Sequence, residues 1–146
     1  MRAAAFHLAA VLVVTAVFAD AVVADDAAKA AAETFGGALV SGLAAELRPI
    51  LPAQGRVHLT LNRLGPEEGL FGARQVEAVF GDFLARGRVE SFDLGRCGSD
   101  GARSAVARGR AGIVDRDGRG RLIGLHLAFE LEGERWVLRE VKETAE

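Results

Sequence analysis

Every second residue from residue 123 to residue 131 is a large apolar residue. The apolar members of this row are Ile123, Leu125, Leu127, Phe129 and Leu131. A period of two residues is typical of a β-strand with one buried face. This segment is therefore the best-defined strand that the sequence predicts.

Shorter alternations, separated by turn residues, predict four further strands. They cover residues 56–63, 90–94, 104–114 and 135–144. In the last strand the alternation assigns Trp136 and Leu138 to one face. It assigns Val137 and Val141 to the other face.

The stretch from residue 69 to residue 94 predicts an amphipathic helix that turns sharply into a strand. One apolar stripe repeats at helical spacing and consists of Val76, Val79, Phe80, Phe83 and Leu84. Gly87 stands where a glycine in the left-handed conformation would end the helix. In the strand that follows, Phe92 and Leu94 are expected to face the core, with Val89 on the opposite side.

A long first helix is predicted from Asp25 to Leu47. Its apolar positions recur every four residues, at Ala31, Phe35, Leu39, Leu43 and Leu47. Glycines weaken helices, so a kink or break is expected near Gly36. Pro49 and Pro52 are expected to end the helix.

The predicted order is helix, strand, helix and then four strands in a meander. Consecutive hairpins form an antiparallel sheet, and the preceding helices must cover one of its faces, which defines the α+β class. In residues 104–114 one face contains mainly alanine and glycine. These small residues predict that another element packs closely on that face.

The N-terminal segment has the pattern of a secretory signal peptide. Arg2 precedes an apolar run over residues 3–19, and small residues follow it. We expect cleavage after Ala24, with Ala19 and Ala21 as alternative sites, and therefore one mature domain over residues 25–146. An uncleaved membrane anchor is the other interpretation, although the run is short for a span of about 20 residues.

Composition narrows the classes of function. The 18 basic and 20 acidic residues give a net charge of −2, which does not favour nucleic-acid binding. Cys97 is the single cysteine, so no intramolecular disulfide can form. It is interpreted as a tolerated loop or strand-end residue, with an intermolecular bridge or a reactive thiol as alternatives.

Three segments of the sequence resemble the nuclear transport factor 2-like superfamily: ARQVEAVFGDFLARGRVESFDL, RLIGLHLAFELEGERW and WVLREVKE. The chain looks closest to the exported bacterial domain-of-unknown-function family 4783. There a helix leads into a strand with a Ser-Phe step, here Ser91 and Phe92, and the final strand begins with an aromatic residue, here Trp136. The resemblance covers residues 25–144.

The resemblance implies two or three N-terminal helices packed on a curved antiparallel sheet of four to five strands. It also implies a conical cavity between them and frequent dimerisation through the sheet, but no particular activity. The side chains expected to line or fill this cone are Phe35, Leu39, Phe80, Phe83, Phe92, Leu127, Phe129 and Trp136. A sheet face with Arg108, Arg110, His126 and Glu130 is where dimerisation is expected.

Enzymes of this superfamily place a Tyr, Asp or His inside the cone, and this chain has no tyrosine. His58, Asp93 and His126 are therefore the candidate acids or bases, although alternation puts both histidines on the non-core side of their strands. The triplet Asp115 to Asp117 is similar to an epoxide hydrolase set in composition alone, because its members are neighbours in one hairpin turn. The same turn lacks the ligands of a calcium loop.

Two functional hypotheses follow. The first is an exported, periplasmic or secreted domain without catalytic activity that binds a small apolar ligand or a protein partner, including a second copy of itself. The alternative is a small isomerase, dehydratase or hydrolase that uses a cavity histidine or carboxylate. No cofactor, no metal site, no nucleic acid and no membrane contact after signal cleavage are expected in either case.

Overall fold

The structure is a computed structural model and describes residues 25–145. Its elements are helix α1 (residues 25–41), a 3-10 helix (Ala44–Ile50), strands β1 (Val57–Thr60) and β2 (Gly69–Phe71), helix α2 (Ala73–Arg86), and strands β3 (Arg88–Ser99), β4 (Ser104–Val114), β5 (Gly120–Glu132) and β6 (Arg135–Thr144). The predicted signal peptide and its cleavage site lie outside the described residues. Within residues 25–145 no helix is long and apolar enough to cross a bilayer.

All six strands form one sheet in the order β2-β1-β6-β5-β4-β3. The predicted antiparallel meander of β3 to β6 is confirmed, and three helical segments pack on the sheet, so the α+β class is confirmed. The predicted number of strands is too low. The additional strand, β2, has three residues and is too short to display an alternation.

The expectation of a fully antiparallel sheet is wrong at one pairing. Strand β1 lies parallel to β6, with His58 opposite Glu140 and Thr60 opposite Lys142. Most of the chain separates these two strands, so no local hairpin signal could reveal how they pair. This pairing brings polar residues of β1 onto the same sheet face as those of the meander.

Helix α1 ends at residue 41, so the predicted extent of the helix to Leu47 is wrong. The break falls at Gly42, whose φ of +75° is a left-handed conformation that glycine adopts readily, and not near Gly36. Leu47 is buried in the separate 3-10 helix, which also contains Pro49. Pro49 therefore does not end the helical structure.

Helix α2 buries Val76, Phe80 and Phe83, as the apolar stripe predicts. Gly87 follows it in an extended conformation, with φ −144° and ψ −175°, so the predicted left-handed cap is wrong. The chain passes directly into β3, and Gly87 is required for a different reason. A Cβ atom there would lie 2.9 Å from the carbonyl oxygen of Val114.

Three β-bulges change which side chains face the core. Glu90 and Gly95 are unpaired in β3, and Arg139 is unpaired in β6. The bulge at Glu90 turns Val89 to the buried face, and the bulge at Arg139 turns Val141 to the face of Leu127. The predicted outward position of Val89 and the predicted separation of Val141 from Trp136 are therefore wrong, because strict alternation assumes regular pairing.

Candidate functional site

Apolar side chains from the helices and the inner face of the sheet meet in one core. Of the eight residues predicted to line or fill a cone, seven are buried and Phe92 is half-buried. The ring of Phe35 stands nearly perpendicular to that of Phe80, with centroids 5.6 Å apart, and also contacts the edge of Phe92 at 6.1 Å. The aromatic side chains therefore pack against one another where the cavity was expected.

Phe92 lies between two glycines, one on α1 and one on β4. A Cβ atom at Gly36 would overlap the Phe92 ring, and one at Gly109 would lie 2.8 Å from its Cζ atom. This explains why β4 has small residues on its inner face. The predicted close approach on that face is confirmed, and the packing element is the ring of Phe92.

The described interior consists of packed apolar side chains. Among residues 25–145 no polar or charged residue is fully buried. In the same part of the chain no group of three His, Cys, Asp or Glu residues has the arrangement of a metal site. A reaction between helices and sheet would need an acid, base or polar donor there.

The candidate catalytic residues lie on the outer face of the sheet instead. The Nδ1 atom of His58 is 3.2 Å from Oε2 of Glu140, and its Nε2 atom is 3.2 Å from Oε1 of Glu68. On the other side of Glu140, Nε2 of His126 lies 3.6 Å from Oε1. The structure therefore brings the two predicted histidines together around one carboxylate, which sequence spacing did not indicate.

This histidine and glutamate cluster is open to solvent. The His58 and Glu140 side chains are 35% and 31% exposed. Both ring nitrogens of His58 lie within hydrogen-bond distance of a carboxylate oxygen. A depression of about 830 Å³ lies next to the cluster on this face, and Asp93, Arg108 and Arg110 are among the residues that line it.

A row of basic residues crosses the same face. Arg96 on β3 is paired directly with Arg108 on β4, Arg108 with His126 on β5, and His126 with Lys142 on β6. Asp93 is paired with Arg110 one step along the strands. Facing residues on adjacent strands have close side chains, and like charges placed opposite each other are unfavourable. Sequence analysis identified Arg108, Arg110 and His126 but missed Arg96 and Lys142.

The opposite half of this face contains carboxylates. Glu130 is paired across from Ser104 on β4, and Glu140 adjoins His58 on β1. Between the two sets, Val106 of β4 is paired with Ala128 of β5. The outer face therefore combines a basic edge, a small apolar centre and an edge with carboxylates.

An ion pair lines a groove between the 3-10 helix and α2. The guanidinium of Arg48 in the 3-10 helix donates two hydrogen bonds to Glu77 of α2, at 2.9 and 2.8 Å. Donation from Arg48 lowers the pKa of Glu77 below its ordinary value. The groove has a volume of about 800 Å³ and is lined mainly by small or charged residues. Sequence reasoning missed this pair because 29 residues separate its members.

Cys97 lies half-buried on β3, near the start of α1. Burial raises the pKa of its thiol, and the charge of Asp25 adds to this. Asp25 itself accepts hydrogen bonds from the backbone and hydroxyl of Ser99, at 2.8 and 2.5 Å, and the hydroxyl is the main reason why the pKa of Asp25 is lowered. These contacts attach the first turn of α1 to the sheet.

The chain matches no protein-family profile and no curated protein. Solved structures do match it. A DUF4783 family protein from Bacteroides uniformis is 19% identical over 78% of this chain and 97% of its own, with a TM-score of 0.62. A proposed dehydratase of the NTF2-like family from Streptomyces avermitilis is 16% identical over 83% of this chain and 94% of its own, with a TM-score of 0.63.

An epoxide hydrolase of the LEH-like type from M. tuberculosis also matches, with 14% identity over 82% of each chain and a TM-score of 0.60. Together with the helices packed on a curved, mostly antiparallel sheet, these matches show that the chain has the nuclear transport factor 2-like fold. Within that fold, the similarity includes the DUF4783 structures, as the sequence resemblance implied. Identities this low establish the fold alone.

Proposed function

We propose that this chain is an exported interaction domain without catalytic activity, and that it pairs with a second copy of itself through the outer face of the sheet. The observation that supports this most is the distribution of polar groups. No polar side chain is fully buried among residues 25–145, whereas the outer face has ordered rows of charged residues. Specific contacts are therefore available on that face.

The charge pattern suits a two-fold axis that runs across the strands, along the row of Val106 and Ala128. Such an axis places the row of Arg108 and His126 of one copy over the row of Ser104 and Glu130 of the other. Val106 and Ala128 then meet near the centre. Arg108, which faces Arg96 within one copy, gains the opposite charge of Glu130 in the pair.

The area of this face is sufficient for a specific interface. Strands β3 to β6 contain 10 to 13 residues each. At about 3.3 Å per residue and about 4.8 Å between strands, a flat sheet of four such strands covers about 700 Å². Side chains add to this, and a standard interface uses about 800 Å² of accessible surface per partner.

Sedimentation velocity at low and high salt tests the pairing. We expect a species of twice the chain mass in the wild-type protein, weakened by salt and by Arg108→Glu or Glu130→Arg. Each variant alone has like charges at both symmetric contacts, whereas a mixed pair of the two variants has opposite charges at both, so mixing should recover the pair. Arg74→Glu, an exposed charge on α2, is the matched control and should leave the pair intact. A wild-type monomer at about 100 μM would refute the proposal, as would equal effects of Arg74→Glu and Arg108→Glu.

The proposed export depends on the N-terminal pattern and has a separate test. N-terminal sequencing of the mature protein from its source should give Asp25 as the first residue. Retention of the apolar run would favour a membrane anchor instead. Failure of this test would not affect the pairing proposal.

A small-ligand role and the enzyme alternative both need space in the interior. The proposed dehydratase and the epoxide hydrolase have the same fold, but the histidines and Asp93 of this chain lie on the outer face. Native mass spectrometry of the purified protein distinguishes a ligand-binding role from partner binding. A copurified small molecule would favour a ligand-binding role, and its absence agrees with partner binding.

A further inference from the structure

Three arginines from separate segments line one depression at the end of the molecule where α2 and β4 finish. Arg63 comes from the loop after β1, Arg86 from the last turn of α2, and Arg116 from the hairpin between β4 and β5. The depression has a volume of about 270 Å³, and Phe83, Gly87 and Asp115 complete its lining. We call this depression the arginine pole.

Backbone contacts hold the Arg63 segment in place. The carboxylate of Glu143 on β6 accepts hydrogen bonds from the backbone N–H groups of Asn62, Arg63 and Leu64, the last two at 2.7 and 3.3 Å. Three consecutive donors on one carboxylate anchor the loop to the sheet. Arg63 therefore extends from a fixed backbone.

The other two segments are also fixed. The Nε atom of Arg86 donates to the carbonyl oxygen of Asp82 at 3.2 Å, which orients the guanidinium at the helix end. In the hairpin, Oδ1 of Asp115 accepts from the backbone N–H groups of Asp117 and Arg119, both at 3.0 Å. The turn that positions Arg116 is thus closed by Asp115.

The guanidinium groups of the arginine pole have no carboxylate partner. Within residues 25–145, Arg63, Arg86 and Arg116 form no ion pair with a carboxylate. Among the residues that line the depression, three positive charges and the negative charge of Asp115 leave a net charge of +2. Two further carboxylates lie beside it, because Asp82 lines the adjoining depression and Glu143 binds the backbone of Arg63, and counting both leaves no net charge.

We propose that the arginine pole binds a phosphate-type oxyanion, either free or as part of a lipid headgroup. Planar guanidinium groups donate paired hydrogen bonds that match the oxygens of phosphate. A bound anion would also offset the repulsion between the arginines. The proposal is independent of pairing through the sheet, because none of these residues lies on strands β3 to β6.

An NMR titration of the purified chain with inorganic phosphate, at constant pH and ionic strength, tests this site. The amide signals of Gly87 and Gly118 should shift with saturation, with a Kd at or below about 1 mM. Arg86→Gln and Arg116→Gln should each weaken binding about threefold to tenfold. Arg119→Gln changes the same hairpin outside the depression and should leave the Kd unchanged.

Asp115→Asn gives a test of opposite sign. Asparagine keeps a side-chain oxygen for the two backbone donors but removes the negative charge, so phosphate should bind about twofold to fivefold more tightly. Trp136 fluorescence in urea checks that each variant is folded. Weaker binding by a folded Asp115→Asn variant would overturn the electrostatic reasoning.

Vesicles distinguish the two sources of phosphate. Binding to phosphatidylglycerol vesicles but not to phosphatidylcholine vesicles, reduced by Arg116→Gln, would identify a lipid headgroup as the ligand. Binding to inorganic phosphate alone would identify a free anion or a soluble phosphate ester. No shift with about 10 mM phosphate and no vesicle binding would overturn the proposal, as would equal losses in Arg116→Gln and Arg119→Gln.

Discussion

Replacing Gly36 by alanine tests whether side chains fill the interior. The proposed function depends on this, because a small-ligand role or an enzyme would need space there. Gly36 and Gly37 are adjacent in α1, yet their surroundings differ. A Cβ atom at Gly36 would overlap the ring of Phe92, whereas one at Gly37 would meet no atom within 4 Å. The two substitutions therefore make the same change in helix propensity and opposite changes in packing.

The magnitudes follow from these two effects. Alanine in place of glycine in a helix stabilises the folded state by about 0.5–1 kcal/mol. Inserting a methyl group into a packed core costs about 1–3 kcal/mol. We expect Gly37→Ala to raise the free energy of unfolding by about 0.5–1 kcal/mol, and Gly36→Ala to lie about 1–3 kcal/mol below Gly37→Ala.

Urea unfolding measures this difference. Trp136 is the single tryptophan and is 6% exposed, so its fluorescence reports loss of the core without interference from tyrosine. Linear extrapolation then gives the free energy of each variant in water. Combining Gly36→Ala with Phe92→Leu should recover about 1 kcal/mol or more, because leucine has no ring to overlap. Equal stabilisation by Gly36→Ala and Gly37→Ala would mean that Phe92 leaves room beside α1, and an open cavity would then be the better description.

Two further predictions concern single ionisable groups. Glu132 accepts hydrogen bonds from the backbone N–H groups of Ala53 and Gln54 and forms an ion pair with Arg135. The hydrogen bond from Ala53 is the main reason why the pKa of Glu132 is lowered in the folded state. The stabilisation of the folded state by ionised Glu132 is therefore present above the pKa of this residue in the unfolded chain, and it is lost as the pH falls through its pKa in the folded state. The urea midpoint of Glu132→Gln should fall less than that of the wild type between pH 7 and about pH 3.5, and equal falls would contradict this. Burial raises the pKa of the Cys97 thiol, so its alkylation by iodoacetamide near neutral pH should be slower than that of an unhindered thiol and should accelerate in urea. Equal alkylation rates in folded and unfolded protein would contradict this prediction.

Much of the fold could be predicted because its signals are local. The alternation that ends at Leu131 defines β5, and the stripe from Val76 to Leu84 defines α2. The small inner face of β4 correctly indicated close packing, although its partner Phe92 could not be identified from spacing alone. Strand β2 and the break at Gly42 were missed because three residues show no period and because a glycine in a helix does not reveal its φ angle.

Less of the candidate site than of the fold could be predicted from the sequence. Alternation placed His58 and His126 away from the core, but only the pairing of β6 with β1 on one side and with β5 on the other brings both to Glu140. The arginine pole depends in the same way on three segments far apart in sequence. Pairing partners at long range leave no pattern in either segment alone.

The sequence by itself determined the α+β class, the meander and the apolar composition of the interior, because hydrophobic periods follow directly from local geometry. Only the tertiary structure decided that the aromatic residues around Phe92 pack against one another, that bulges at Glu90 and Arg139 turn side chains to the other face, and that charged residues form rows across the outer sheet. These features depend on strand register and on distances between elements. Register and these distances are determined only when the whole chain packs, because the strands paired with a given strand determine where its side chains lie.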